Sequence, residues 1–160
     1  MFVKMTTSLF ALAAACTMAA CNSSMDVASY NNELITVIND NEKQMAGMNE
    51  AMNSKDYTRA EQARSTWSAT LDKQIKKVED LGSYKGDDVL QKGVLNGLRT
   101  YKKVVTDDYR ELITIRKAGI ADEATAAKEE KALNHINSAF EQAAEEVNKA
   151  SDAFEKKYAK

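Results

Sequence analysis

Apolar residues recur at intervals of three and four positions along four long segments of this 160-residue chain. That spacing places them on one face of an α-helix, which has 3.6 residues per turn. The chain contains no proline, so no residue of that type interrupts a long helix. The pattern therefore predicts an all-α protein built from four amphipathic helices.

The first two helices are predicted over residues 27–53 and about 56–81. Asp56 is a suitable N-cap for the second helix, and Gly82 is suited to end it. The inward positions of the first helix are Tyr30, Leu34, Val37, Ile38, Asn41, Gln44, Met45, Met48 and Met52. Those of the second are Tyr57, Ala60, Arg64, Trp67, Leu71, Ile75, Val78 and Leu81.

The third helix is predicted to start after Asp88 and to run without interruption to about Lys117. Its inward positions are Leu90, Val94, Leu98, Tyr101, Val105, Tyr109, Leu112 and Ile115. Gly93 and Gly97 within it either allow a neighbour to approach closely or lower the local stability. Asp122 can cap a fourth helix that reaches almost to the C-terminus, with Leu133, Ile136, Phe140, Ala143, Val147, Ala150, Phe154 and Tyr158 facing inward.

Short turns between these helices predict an antiparallel up-down-up-down four-helix bundle over residues 27–160. If the chain reverses near residues 84 and 121, Trp67, Tyr101 and Phe140 lie at one height and form a core aromatic layer. Asn41 and Gln44 of the first helix reach the same height, where they can accept a hydrogen bond from the indole or a phenol. We expect this layer to be a packed core, with a ligand pocket as the alternative.

The N-terminal segment carries an export pattern. Lys4 precedes an uncharged run that ends in Ala19, Ala20 and Cys21. It resembles a bacterial lipoprotein signal peptide, with Met18 where that family more often has leucine. The resemblance implies a signal peptide over 1–20, a lipidated tether over 21–26 and acyl chains such as palmitate on Cys21. An ordinary secretory signal that is cleaved elsewhere is the alternative.

Membrane attachment through Cys21 is the location that this segment implies. The uncharged run is shorter than the roughly 20 apolar residues that a transmembrane helix needs. Asn22 follows the cysteine in place of the aspartate associated with inner-membrane retention, which implies outer-membrane sorting in the bacterial cell envelope. The five tether residues after Cys21 span at most about 18 Å, so we expect the bundle to sit close to the bilayer.

Charge and residue usage exclude several kinds of function. The chain has 22 basic and 24 acidic residues, and because they are interspersed they form neither a nucleic-acid footprint nor a polybasic membrane patch. Cys16 leaves with the signal peptide and Cys21 is acylated, so thiol chemistry and cysteine metal sites are not expected. Because the charges are interspersed, we expect no nucleic-acid partner.

His135 is the single histidine, and it lacks the companions that known histidine chemistries need. Neither an HExxH zinc motif nor the Glu-x-x-His spacing of di-iron bundles is present. We expect an exposed surface histidine, no cofactor, no metal and no enzymatic activity. Haem held by His135 and one of Met45, Met48 or Met52 is a weaker possibility, because these methionines are better explained as core.

Polar residues at seam positions raise a separate question. Asn41, Gln44 and Arg64 either form one satisfied buried network or extend to the edge of the bundle, and we favour the second account for Arg64.

Several local features resemble an uncharacterised family of small bacterial surface lipoproteins. These features are Asp56-Tyr57 with Ala60 and Ala63, Tyr84-Lys85-Gly86-Asp87, Tyr101 with Tyr109, and Phe154-Glu155-Lys156-Lys157-Tyr158. The resemblance spans the mature chain and implies location and fold, without an assigned activity.

The functional expectation depends on which kinds of chemistry the sequence lacks. An anchor, a rigid helical module and no recognisable chemistry indicate a non-enzymatic lipoprotein that scaffolds or binds an envelope protein partner. The alternative is a bundle that binds an apolar or haem-like ligand. An enzyme ranks third, because no sequence feature favours it.

Overall fold

The computed structural model describes residues 25–158, and four helices pack against one another in an up-down arrangement, as predicted. Helix α1 spans Val27–Asn53 and α2 spans Tyr57–Leu81. The third helix of the bundle consists of α3 (Val89–Lys103), a π-helical segment (Val104–Asp108) and α4 (Tyr109–Ala118). Helix α5 spans Glu123–Tyr158. Within 25–158, no helix is both long and apolar enough to cross a membrane.

Aspartates cap three helix starts. The backbone N–H of Ser29 donates to Asp26 Oδ1 at 2.8 Å, that of Arg59 to Asp56 Oδ1 at 3.0 Å, and that of Thr125 to Asp122 Oδ1 at 2.7 Å. Each carboxylate satisfies an N–H group that has no partner inside its own helix. The predicted caps Asp56 and Asp122 are therefore confirmed.

The prediction of an uninterrupted third helix is wrong. Its middle is the π-helical segment, in which the N–H of Tyr109 donates to the carbonyl of Val104, five residues earlier. A π turn holds an extra residue and so rotates the face of the helix that follows. Ile113 is consequently buried, at 5% exposure, whereas Ile115, which the uninterrupted spacing places inward, is only half-buried.

The turn between α2 and α3 contributes to the core. The backbone groups of Tyr84 and Asp87 exchange two hydrogen bonds of 2.9 Å, and the Tyr84 side chain is 1% exposed. The sequence predicts only a helix break here. A single apolar residue in a turn has no periodicity, so the burial of Tyr84 could not be predicted from spacing.

Glycines allow α3 and α5 to pack closely. A Cβ atom added at Gly93 would lie 2.4 Å from the Cβ of Ala150, and one added at Gly97 would lie 2.9 Å from Val147 Cγ2. Both distances are shorter than van der Waals contact. Of the two alternatives for these glycines, the structure shows the close approach of a neighbouring helix.

Gly93→Ala is expected to lower the free energy of unfolding by about 1–3 kcal/mol, the usual cost of overpacking. The side chain of Ala150 ends at Cβ, so the clash can be relieved only by moving the backbones of α3 and α5 apart. Urea unfolding followed by far-UV circular dichroism measures the change. Gly47→Ala is the matched control, because nothing lies within 4 Å of a Cβ at Gly47, and it should stabilise α1 by about 0.5–1 kcal/mol. Equal stability of Gly93→Ala and the wild type would contradict the close packing.

The four helices do not pack evenly around the bundle. Helix α1 packs along α2, and α5 packs along α3 and α4, but α1 and α5 are not closely packed along their lengths. They meet where α1 begins, with the rings of Tyr30 and Phe154 5.6 Å apart. The seam between the first and last helices is therefore open beyond that end.

Candidate binding groove

Trp67 lies at the centre of the bundle and is fully buried. Its ring stacks on Phe140, with centroids 6.2 Å apart, and lies 6.0 Å from the ring of Tyr109. Phe140 also packs edge-to-face against Tyr101 at 5.2 Å. Phe140 thus brings Trp67 and Tyr101 into one aromatic cluster, to which the structure adds Tyr109.

A buried hydrogen-bond network accompanies this cluster. The indole Nε1 of Trp67 donates to Asn41 Oδ1 at 2.8 Å. Asn41 Nδ2 donates to Gln74 Oε1 at 2.9 Å and to the carbonyl of Val37 at 2.8 Å. Asn41 is 0% exposed and Gln74 is 8% exposed, and buried polar groups are stable only with such partners.

Two residues at this level differ from expectation. Gln44 is half-buried and forms no hydrogen bond through its side chain among the described residues. Gln74 takes the second polar position, whereas its neighbour Ile75 is only half-buried. Gln74 follows Trp67 by two helical turns and precedes Val78 by one, so its position on the inward face was visible in the sequence.

Arg64 lies half-buried at the edge of α2. Its guanidinium donates to both carboxylate oxygens of Glu61, at 2.9 and 2.5 Å. Its Nη1 lies 3.5 Å from the carbonyl of Val105, in the π-helical segment. The hydrogen bond from Arg64 lowers the pKa of Glu61. Arg64 is therefore separate from the network around Asn41.

His135 lies on the surface of α5, with 56% of its side chain exposed, as predicted. Its Nδ1 is 2.8 Å from Asp108 Oδ1. The methionines considered as haem ligands are core residues. Met48 and Met52 are buried in the core, and Met45 is half-buried against it. No group of three metal-ligating side chains occurs within the part of the chain that the structure describes.

The open seam between α1 and α5 forms a surface groove of about 360 Å³. Helix α3 lines it between the two outer helices. Its apolar lining consists of Ile35, Ile38, Leu90, Val94, Ala144 and Val147, and its polar lining consists of Asn39, Glu42, Tyr101, Asn148 and Ser151. Ile35 is 37% exposed where α1 borders this groove. An apolar groove with a few polar groups is the usual form of a binding site.

Tyr101 connects the aromatic cluster to this groove. The ring of Tyr101 packs against Phe140. Tyr101 also lines the groove, together with Glu42. Burial and the negative charge of Glu42 raise the pKa of Tyr101. Within residues 25–158 no hydrogen bond joins its hydroxyl to another group, so the hydroxyl is free to bind a ligand or water.

A second aromatic cluster lies where α1 begins. The ring of Tyr84 packs against Tyr30 at 5.2 Å and against Phe154 at 5.5 Å, and Phe154 packs against Tyr158 at 4.8 Å. The hydroxyl of Tyr30 donates to the carbonyl of Gly82 at 2.8 Å. Burial raises the pKa of Tyr30 to about 12, with a further contribution from nearby aspartates. These contacts join α1, α5 and the turn that follows α2, so we expect this end of the bundle to be rigid.

Comparisons with protein-family models, curated proteins and solved structures find no match to this chain. What is established is a small all-helical protein of four helices. The resemblance to surface lipoproteins stays a prediction, and Cys21, on which the lipid anchor depends, lies outside the described residues.

Proposed function

We propose that this protein is a lipid-anchored, non-enzymatic interaction module of the bacterial cell envelope, at the outer membrane, and that it binds an envelope protein through the groove between α1 and α5. The observation that carries the proposal is the groove itself. Four-helix bundles ordinarily bury the seam between their first and last helices. Here that seam leaves Ile35 exposed beside other apolar side chains.

The position of the groove fits a protein held at a membrane. Because α1 begins at Val27, acyl chains on Cys21 would place the Tyr30 end of the bundle nearest the bilayer. The groove extends away from that end, from Leu90 to Tyr101 along α3, a distance of about 17 Å at 1.5 Å per residue. It would therefore face the space beside the membrane, where a partner can reach it.

Cys21→Ser is expected to move the protein from the membrane fraction to the soluble fraction or to leave it unprocessed. The acyl chains on Cys21 supply the membrane affinity, and the polar bundle offers no replacement. Cell fractionation with immunoblotting measures the distribution, with Cys16→Ser as the matched control that should stay membrane-bound. A mature-length Cys21→Ser protein that remains in the outer-membrane fraction would refute the lipid anchor.

Site-specific photocrosslinking in intact cells tests partner binding. A photoreactive amino acid at Ile35 samples the groove, and the same residue at Ile120 is the control. Ile120 is 52% exposed and lies outside the groove, in the connection before α5. We expect a larger adduct from position 35 and none from position 120. Equal labelling at both positions, or none, would contradict the proposal.

The second candidate is a small apolar ligand in the same groove, favoured by its apolar lining. Lipid extraction and mass spectrometry of the protein purified from its native membrane would detect a bound lipid. A haem-like ligand held by His135 is less well supported, because His135 is not among the groove residues and its imidazole is bonded to Asp108.

A further inference from the structure

We infer that the groove binds a basic amphipathic helix of the partner protein, with the apolar face of that helix between α1 and α5 and a lysine or arginine beside Glu42. This inference rests on the proposed function and specifies the chemistry of the partner.

The dimensions of the groove suit the face of a helix. On α1 the lining residues run from Ile35 through Ile38 to Glu42, which are seven residues apart and span about 10 Å, or two helical turns. A docking helix presents apolar anchors at positions i, i+3 or i+4, and i+7, over the same length. Val147 on the opposite wall and Val94 on the floor provide further apolar contacts.

The charge of the groove selects a basic partner. Glu42 is the single charged residue that lines the groove in the described chain, and it forms no ion pair there. On α5, Glu141 lies one turn before the lining residue Ala144 on the same face and is likewise exposed and without an ion pair in residues 25–158. Unpaired carboxylates beside an apolar groove attract a cationic partner and repel an anionic one.

The lysines nearest in sequence to Glu42 and Glu141 each lie close to another acid. Lys43 is 3.6 Å from Asp40, and Lys149 is 3.7 Å from Glu145. Each lysine is therefore matched by an acid on its own helix. A second copy of this chain docked groove to groove would bring a second Glu42 and so oppose like charge with like charge.

The groove also contains a hydroxyl group that has no hydrogen-bond partner in the described part of the chain. The hydroxyl of Tyr101 has no hydrogen bond within residues 25–158, and it shares the groove with Glu42. A lysine or arginine side chain carries several N–H donors, so it can bind Glu42 and the Tyr101 hydroxyl together.

The experiment maps the adduct formed by the full-length chain in intact cells with the photoreactive residue at position 35. Mass spectrometry of the crosslinked peptide identifies the partner segment, which we expect to be an amphipathic helix with at least one lysine or arginine. Adding Glu42→Lys should lower the adduct yield at least about fivefold, because an attractive pair becomes a repulsive one. Glu42→Asp should retain most of the adduct.

The control is Glu130→Lys. Glu130 is an exposed residue of α5 that neither lines the groove nor forms an ion pair in the described residues. It makes the same change in net charge and should leave the adduct unchanged. Equal cellular amounts of the Glu42→Lys and Glu130→Lys proteins would show that the loss does not arise from misfolding.

The outcomes separate the two proposals. An adduct with an acidic or non-helical segment, with a second copy of this chain or with a lipid would overturn the basic-helix inference. An adduct that Glu42→Lys does not reduce would overturn it as well. In the cases where the adduct is another protein, the interaction function itself would stand. No adduct at position 35 would overturn both.

Discussion

Trp67→Ala is expected to lower the free energy of unfolding by about 3–5 kcal/mol, the range observed for removing a large buried aromatic side chain. Trp67 is fully buried and contacts Phe140 and Tyr109. Its removal leaves a cavity at mid-bundle. It also removes the hydrogen bond that Asn41 Oδ1 accepts from the indole N–H. Both effects act in the same direction, so this is the largest loss that we expect from one substitution.

Urea unfolding measures this loss. Far-UV circular dichroism is the appropriate signal, because Trp67 is the single tryptophan of the chain and its fluorescence disappears with the substitution. Trp67→Phe keeps most of the ring and should cost less. Val89→Ala serves as the surface control, since Val89 is 45% exposed. A loss below about 1 kcal/mol for Trp67→Ala would show that Trp67 is not a packed core residue.

Asn41→Leu is expected to cost about 2–4 kcal/mol, although leucine is close to asparagine in size and is apolar. The substitution leaves two buried groups unpaired, Trp67 Nε1 and Gln74 Oε1. Each buried group without a partner costs about 1–3 kcal/mol. The expected loss therefore comes from hydrogen bonding and not from packing.

A second substitution distinguishes these causes. Adding Gln74→Leu to Asn41→Leu removes one of the unpaired groups, so the double variant should recover part of the lost stability. Asn39→Leu is the control, because Asn39 is exposed on the same helix. Strictly additive losses for Asn41→Leu and Gln74→Leu would contradict a shared network.

Local patterns predicted where the four helices lie and which residues cap the second and fourth of them. Helix α1 spans the predicted residues, and Asp56 and Asp122 cap the helices that follow them. These features depend on residues three or four positions apart, which contact each other in any helix that forms. Short turns between long helices leave each helix antiparallel to the one before it, so the turns were sufficient to predict four antiparallel helices.

Counting from the turns also placed Trp67 and Asn41 near each other, and the structure joins them by a hydrogen bond. Gln74 was missed, because the neighbouring apolar residue Ile75 was assigned to the inward face of the second helix. The π-helical segment was missed for another reason. An extra residue in one turn has no signature in residue spacing when both possible faces contain apolar residues, as they do at Ile113 and Ile115.

The amino-acid sequence by itself determined four amphipathic helices, their ends and the height at which Trp67 lies, because these depend on spacing along one chain. Only the tertiary structure decided which helix faces meet. The packing of α5 on α3 depends on Gly93 against Ala150, a contact between residues far apart in the chain. Since α5 packs on α3 and α1 packs along α2, the seam between α1 and α5 stays open. Ile35 therefore becomes part of a groove, although spacing alone does not distinguish it from other apolar residues.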